Sequence, residues 1–339
     1  MTSSQEPPSE PPHRGFQVQV AGTEHRFDVA PGERILAAGR RAGVWLPFEC
    51  GWGSCGTCKV TLVDGEVGSL YPDAPAIDAR DERRRRVLAC QSVAKSDITI
   101  KALKTGEVPE RPTADHSAEV VDIEDLGNEI RRIRFRLGSA PQYRPGQYAI
   151  FDLGNGLRRC YSMATVPGSD IVEFIAKRYS GRPGSGALFS LAPGDRVAVE
   201  LPYGDMWFRA NERDIVLTAG GTGLSPILAL LRHLCDRGMG NRVHVFYGAN
   251  SEDELVCWHE MQALVGRLPA AELHGAVARP GDGWTGTRGL VTDALKTRLA
   301  ELRDAEHYLA GPPVMVDAVL DLLSANDVPR DRIHYDRFG

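Results

Sequence analysis

The sequence predicts a multi-domain protein in which a small α+β module, an antiparallel β-barrel and an α/β domain with a parallel sheet follow one another along the chain. Three observations carry this. Apolar and polar residues alternate in short runs on either side of a cysteine-rich loop, six strand-like runs then follow with almost no helical pattern between them, and after Asn211 the order becomes strand, Gly-rich turn, helix, strand. The length of 339 residues agrees, since it suits about two or three cores rather than one.

Residues 1–14 are rich in Pro, Ser and Glu and read as a disordered leader with no secretory pattern, which suggests a cytoplasmic protein. Residues 15–103 form the first expected domain. Phe16, Val18 and Val20, then Phe27 and Val29, alternate around Ala21-Gly22-Thr23 as a β-hairpin, and Glu33 to Gly43 reads as a short helix. Lys59–Val67 and Asp97–Leu103 supply further strands. Residues 104–115, with Gly106, Pro109 and Pro112 among charges, read as a linker.

The barrel is expected over 116–209, from runs at 118–123, 130–137, 147–153, 159–164, 171–178 and 196–201. The α/β domain is expected over 210–339. Its strands are 215–218, 243–247, 272–277, 307–309 and 333–335, with helices at 227–235, 254–268 and 314–323.

Composition narrows the function. Forty basic against 45 acidic residues give no electrostatic case for nucleic acid, and no apolar run approaches the roughly 20 residues of a membrane span. Three of the seven cysteines crowd one loop, which points to metal rather than disulfides, while Cys160, Cys235 and Cys257 read as small buried hydrophobes.

Cys50, Cys55 and Cys58 are spaced C-x4-C-x2-C, with Cys90 downstream in Leu88-Ala89-Cys90-Gln91. That is the plant-type arrangement in which four thiolates hold a [2Fe–2S] cluster. Gly51, Gly53 and Gly56 alternate with the thiols and let the backbone wrap closely and point N–H groups at sulfur. Structural zinc sites use two close pairs instead of a triplet and a singleton.

Arg159-Cys160-Tyr161-Ser162 lies on a barrel strand, so Arg159 and Tyr161 share a face and Ser162 takes the other. Together they supply what a flavin needs: a cation for phosphate, an aromatic plane and a donor near N5. Gly181-Arg182-Pro183-Gly184-Ser185-Gly186 then precedes a short helix over 187–191, whose first amides suit a diphosphate. Gly220-Gly221-Thr222-Gly223-Leu224-Ser225-Pro226 follows a strand and opens a helix, which suits a pyrophosphate, although it is not G-x-G-x-x-G and a purely structural turn is its rival reading. Glu252, Asp253 and Glu254 follow the second strand of that domain. They would favour a ribose diol over a 2′-phosphate, or simply form an acidic helix start.

These signatures, in this order, resemble the NADH-dependent reductase components of bacterial oxygenases in the ferredoxin–NADP⁺ reductase superfamily. The resemblance implies a plant-type ferredoxin β-grasp, an antiparallel β-barrel FAD domain and an α/β parallel-sheet nicotinamide domain. It implies FAD, a [2Fe–2S] cluster and NADH as cofactors, and an oxygenase hydroxylase or its ferredoxin as partner. It carries Cys50, Cys55, Cys58 and Cys90 to the cluster, and Arg159, Tyr161, Ser162, Lys177, Ser185 and Gly186 to the flavin. Gly220, Gly221, Thr222, Gly223, Pro226, Glu252, Gly311 and Pro312 go to the nicotinamide nucleotide, with Tyr161, Ser162 and Phe338 around the reacting ring. Gly65-Glu66-Val67, Tyr71-Pro72-Asp73-Ala74-Pro75 and the ending Ile333 to Phe338 lean toward reductases of soluble di-iron monooxygenases of the toluene, isoprene and alkene type. A Rieske dioxygenase reductase, and a non-catalytic assembly module, are the alternatives. Two departures stand out: Ala310 replaces the family's Cys before Gly-Pro-Pro, and Ser185 sits four residues after Gly181 instead of three. Arg83 to Arg86, just before Cys90, read either as a solvated helix face or as a docking patch for an acidic partner.

Overall fold

A computed structural model describes residues 15–48, 50–102, 110–154 and 156–338, and the chain divides into two compact units, 1–112 and 113–339. The expected leader and residues 103–109 of the linker region lie outside the described residues.

The first unit contains β1 (Phe16–Val20), β2 (Arg26–Val29), α1 (Ile35–Arg41), β3 (Lys59–Asp64), β4 (Val67–Ser69), α2 (Ala79–Arg83), β5 (Arg86–Leu88), β6 (Ser92–Ala94) and β7 (Ile98–Lys101). β1 and β2 pair antiparallel with Val18 opposite Phe27, as the alternation requires. The main sheet runs β2-β1-β7-β3-β5, and β1 and β7 pair parallel within it. Val18, Val20, Phe27 and Val29 point inward and meet Ile35, Leu36 and Ala38 of α1 in a core that also includes Cys58 and Cys90.

The arginine run is not one helix face. Only Arg83 belongs to α2; Arg84 caps it, Arg85 turns left-handed at φ 51° and bonds the Gly65 carbonyl at 3.1 Å, and Arg86 enters β5. Asp78 stops the run from extending a helix backward, since it caps α2 by accepting from the amides of Arg80 and Asp81. Asp81 is buried between Lys59 at 2.6 Å and Arg86 at 3.1 Å. Lys59 first, with Arg86, holds its carboxyl down at about 2.

The second unit opens with β8 (Ala114–Gly127), β9 (Ile130–Arg136), β10 (Tyr148–Asp152), β11 (Arg158–Ser162), β12 (Ile171–Lys177), α3 (Pro183–Phe189) and β13 (Arg196–Tyr203). The six strands run β11-β10-β13-β8-β9-β12, each antiparallel to its neighbour. A bridge between Met163 and Phe174, with the Ala164 amide on the Glu173 carbonyl at 2.8 Å, joins the outer strands and closes the barrel. Phe135, Phe151 and Phe174 fill it edge to face. One expectation fails at the entrance: residues 114–115, read as linker, already pair with β13, Ala114 opposite Leu201.

The remainder is β14 (Ile215–Gly220), α4 (Leu224–Arg237), β15 (Val243–Ala249), α5 (Trp258–Val265), β16 (Ala271–Val277), β17 (Thr287–Arg288), α6 (Val291–Lys296), α7 (Leu299–Leu302), β18 (Glu306–Gly311), α8 (Pro313–Ser324) and β19 (Ile333–Arg337). The sheet is parallel throughout, in the order β17-β16-β15-β14-β18-β19. The helix expected over 254–268 is shorter, because Cys257 at φ 58° interrupts the chain and α5 starts only at Trp258. β17, α6 and α7 were not foreseen, being too short for a period to register. Cys160, Cys235 and Cys257 are half-buried rather than buried, and the Cys257 sulfur accepts from Arg132 at 3.0 Å.

Barrel and α/β sheet share one core, in which Ile130, Ala164, Ile175 and Met206 meet Leu217, Leu228, Leu231 and Met261. Beside it runs a charged seam. Arg132 of β9 and Arg232 of α4 both pair with Glu173 of β12, at 3.5 and 3.0 Å, and both reach Glu260 of α5. The Glu173 side chain is only 6 % exposed and that of Arg132 only 10 %. Removing Glu173 takes the one nearly buried carboxylate from Arg132 and Arg232 and leaves Arg132, itself 10 % exposed, to the more exposed Glu124 and Glu260. Glu173→Ala is therefore expected to cost the 113–339 unit about 3–5 kcal/mol in urea unfolding followed by circular dichroism. A loss under about 1 kcal/mol would mean that the seam behaves as solvated surface.

Candidate functional site

The cysteine loop is shaped by its glycines. Gly51, Gly53 and Gly56 adopt φ of 66°, 103° and 75°, left-handed values that L side chains resist. Their turns aim backbone at sulfur: the amides of Ser54 and Cys55 lie 3.3 and 3.4 Å from the Cys50 sulfur, and those of Thr57 and Cys50 lie 3.4 and 3.5 Å from that of Cys55. Cys58 and Cys90 are buried side by side with sulfurs 3.2 Å apart, while Cys50 is half-buried and Cys55 exposed. The Cys55 thiol, then backbone amides, lowers the pKa of Cys50, and the Cys90 thiol does the same for Cys58. One thiol of each pair is thus biased to thiolate, the ligand form. Four neighbouring thiols, two of them met by backbone amides, fit an iron–sulfur cluster.

On the barrel, β11 carries Arg159, Tyr161 and Ser162. Tyr161 packs edge-on against Phe151 at 5.4 Å and burial pushes its phenol up. Arg159 lies across Gly184, where a Cβ would collide with the guanidinium, so that glycine is what admits the cation to the start of α3. Pro183 begins the helix without an amide to spare. Next to it an open cleft of about 720 Å³ is lined by Tyr179, Gly181, Arg182, Pro183 and Gly186. Glu129 also lines the cleft, but Arg178 neutralises it, so Arg182 and the glycine turn leave a surface that fits a dinucleotide diphosphate. Ser185 departs from expectation. Its hydroxyl accepts from the Tyr179 amide at 3.0 Å and lies 3.3 Å from the Arg182 carbonyl, so it is spent holding the turn.

The Gly220–Gly223 turn stands at the C-terminal edge of the parallel sheet, where α/β folds bind ligands. It meets the turn after β18: a Cβ at Gly223 would run into the Ala310 carbonyl, and Gly220 and Gly311 both press on Met315. Gly221 at φ 53°, half-buried Thr222 and buried Pro226 complete the first turn, and Pro312 starts the second helix. Ala310 is fully buried. Phe338 comes to the same place, because its amide donates to the Gly311 carbonyl at 2.8 Å and its ring packs against the shared core. The two halves are tied by Ser225, whose hydroxyl donates to the Ser162 carbonyl at 2.6 Å.

Thus Ser162, Gly220 to Gly223, Gly311, Pro312 and Phe338 are brought together, with Arg159 and Gly186 farther along the barrel. Lys177 is elsewhere engaged, paired with Glu254 at 3.0 Å. Desolvation pushes Glu254 up, but Lys177 and the Asn250 amide outweigh it and keep it ionised. Glu252 accepts from the Gly281 amide at 2.8 Å and borders a cavity of about 360 Å³ with Trp258 and Trp284. The four cysteines belong to the first unit and the other candidates to the second. Sequence reasoning missed Ser225 and Arg182. The second could have been found, as a cation inside a glycine turn, whereas a serine after a turn carries no such signal.

Three family models match in succession: 2Fe-2S iron-sulfur cluster binding domain over residues 18–95, oxidoreductase FAD-binding domain over 117–208 and oxidoreductase NAD-binding domain over 217–321. The ferredoxin–NAD(+) reductase component of the alkene monooxygenase system of Xanthobacter autotrophicus is 37 % identical over 320 residues, covering 92 % of this chain and 97 % of its own. The reductase component of phenol 2-monooxygenase from Pseudomonas sp. strain CF600 is 33 % identical, covering 95 % and 94 %. Among solved structures, a ferredoxin reductase in carbazole 1,9a-dioxygenase superposes with a TM-score of 0.86 at 31 % identity, over 96 % of this chain and 98 % of that one. With three domain models in this order and relatives matched over nearly the whole chain, this chain belongs to the family of FAD- and [2Fe–2S]-containing, NAD(P)H-dependent reductase components of oxygenase systems.

Proposed function

We propose that this chain takes hydride from NADH and delivers single electrons to the hydroxylase of a soluble di-iron monooxygenase. The observation that carries the reading is the Ser225–Ser162 bond, which fixes the nicotinamide turn against the flavin strand. In this reading residues 15–103 carry the cluster, 116–209 the flavin and 210–339 the nicotinamide nucleotide. FAD supplies the conversion of a two-electron donor into one-electron deliveries. Arg159 and Arg182 meet its diphosphate, with Ser185 holding the glycine turn in shape for it. Tyr161 packs on the ring and Ser162 orients N5. Gly220, Gly223 and Gly311 would leave room for backbone to approach the second nucleotide, and Phe338, held at the Gly311 turn, would lie over the face of the flavin ring that the nicotinamide must reach. Electrons leave through the exposed Cys55 side of the cluster. A Rieske oxygenase remains the second reading of the partner, favoured by the carbazole dioxygenase reductase's similarity over nearly the whole chain. Mixing the reduced protein with each type of hydroxylase and measuring NADH-coupled product decides between them.

Cys90→Ala is expected to lose the cluster's visible absorbance and most cytochrome c reduction, at least about tenfold, while reduction of small dyes by NADH stays within about twofold. Cytochrome reduction at the parent rate would remove the cluster from the route. NADH is expected over NADPH, and Glu252→Gln should narrow the ratio of their kcat/KM values about tenfold by removing one charge near the 2′ position. Equal constants in the parent protein would sink that assignment. Phe338→Ala should shift the flavin absorbance bands and alter KM for NADH several-fold, and an unchanged spectrum with unchanged kinetics would place the ring away from the flavin.

A further inference from the structure

β15 and β16 run parallel with His244 beside Glu272 and Phe246 beside His274. Residues two apart on a strand share a face, so all four side chains rise from one side of the sheet. They do so near the strands' N-terminal ends, whereas the Gly220 and Gly311 turns follow the C-terminal ends of β14 and β18.

His244 is only 2 % exposed, and neither of its ring nitrogens has a hydrogen-bond partner among the described residues. A buried polar ring without a partner is costly and rare in native proteins. Two potential metal ligands stand beside it, Glu272 and His274. The Glu272 carboxylate lies 4.0 Å from His244 Nδ1 and 3.3 Å from His274 Nε2, and one donor atom from each residue fits within 4.8 Å of the others. The two imidazole planes are 9° from parallel, and Phe246 stacks on His274 at 4.7 Å and fixes that ring.

We propose that His244, Glu272 and His274 form a binding site for a divalent transition-metal ion, with zinc the fitting member of that class. Two imidazoles and one carboxylate are a zinc donor set that leaves a fourth position for water. Ligands about 2.0–2.1 Å from a tetrahedral ion stand about 3.3 Å apart, a spacing already met between His274 and Glu272. His244 has the wider gap, 4.0 Å from its Nδ1 to the Glu272 carboxylate, so binding requires its ring to turn toward the ion. Glu272 is exposed and His274 partly so, which gives an ion a way in. Two charges oppose it: Arg242, just before β15, which is paired with Asp214 at 3.7 Å, and Arg298, in the turn between α6 and α7, which pairs with Glu272 at 2.7 Å. Arg298 is the one that occupies a ligand. It also holds Glu301 at 3.1 Å, and this second partner lets it release Glu272. An ion there clamps β15 to β16, and because it binds only the folded chain it raises stability. No step of electron transfer passes through it.

The test uses the holoprotein with cluster and FAD in place, so that the four cysteines are occupied. After equilibrium dialysis against micromolar zinc, zinc and iron are measured in the same sample. One zinc per chain beyond unchanged iron is expected, with a higher melting temperature. Glu272→Gln and His274→Gln, at positions open enough to tolerate change, should each weaken uptake at least about tenfold with flavin and cluster absorbance unaltered. Arg298→Gln should tighten it. No zinc uptake by the parent overturns the proposal, as does zinc retained equally by all three variants, which would be an adventitious ion only.

Discussion

The second unit depends on a seam at which a closed barrel and a parallel sheet are held as one body. Arg132 and Glu173 lie nearly out of water there, with Arg232 and Glu260 partly exposed at its edge, and the geometry is demanding because a buried charge that loses a partner is poorly compensated. Apolar residues from both sides fill the rest, so neither half can move without opening a core. Such rigidity is what hydride transfer requires, since small misplacements of reacting atoms are expensive. The Ser225–Ser162 bond is the point at which the seam reaches the flavin strand.

A second constraint is close approach of backbone. At Gly184, Gly223 and Gly311 the neighbour that fills the space of a missing side chain is a guanidinium, a carbonyl and a methionine respectively. Each glycine therefore serves contact more than flexibility. Gly51, Gly53 and Gly56 serve the other purpose, since their left-handed φ values turn amides toward sulfur. The same residue type thus builds the cluster loop by conformation and the nucleotide turns by space.

Function in the family divides between these two devices, with the thiolate loop in one compact unit and the nucleotide turns in the other. Within the first unit two of the four candidate ligands are core residues, Cys58 and Cys90 packed among Val60, Leu88 and Ala89, while Cys50 is half-buried and Cys55 exposed. Ala310 is fully buried, and its carbonyl fills the space that a side chain at Gly223 would need.

Much of this was legible in the chain. Alternation with period two gave the six barrel strands, and the strand–turn–helix order gave the parallel sheet, because both periods are fixed by local backbone geometry. The cysteine spacing named the cluster, since ligands within one loop need no long-range information. Where partners come from distant segments, the sequence was silent or misleading. The partners of Lys177 and Ser185 in the fold, Glu254 and the Tyr179 amide, carry no sequence signal, and the Arg83–Arg86 run read as one helix face until Arg85 turned left-handed. His244, Glu272 and His274 could not be read together at all, because it is strand pairing that sets residues 28 apart in sequence side by side. Local periodicity and spacing are written in consecutive residues; which side chain spends its charge or hydrogen bond on which partner is decided only when separate elements pack.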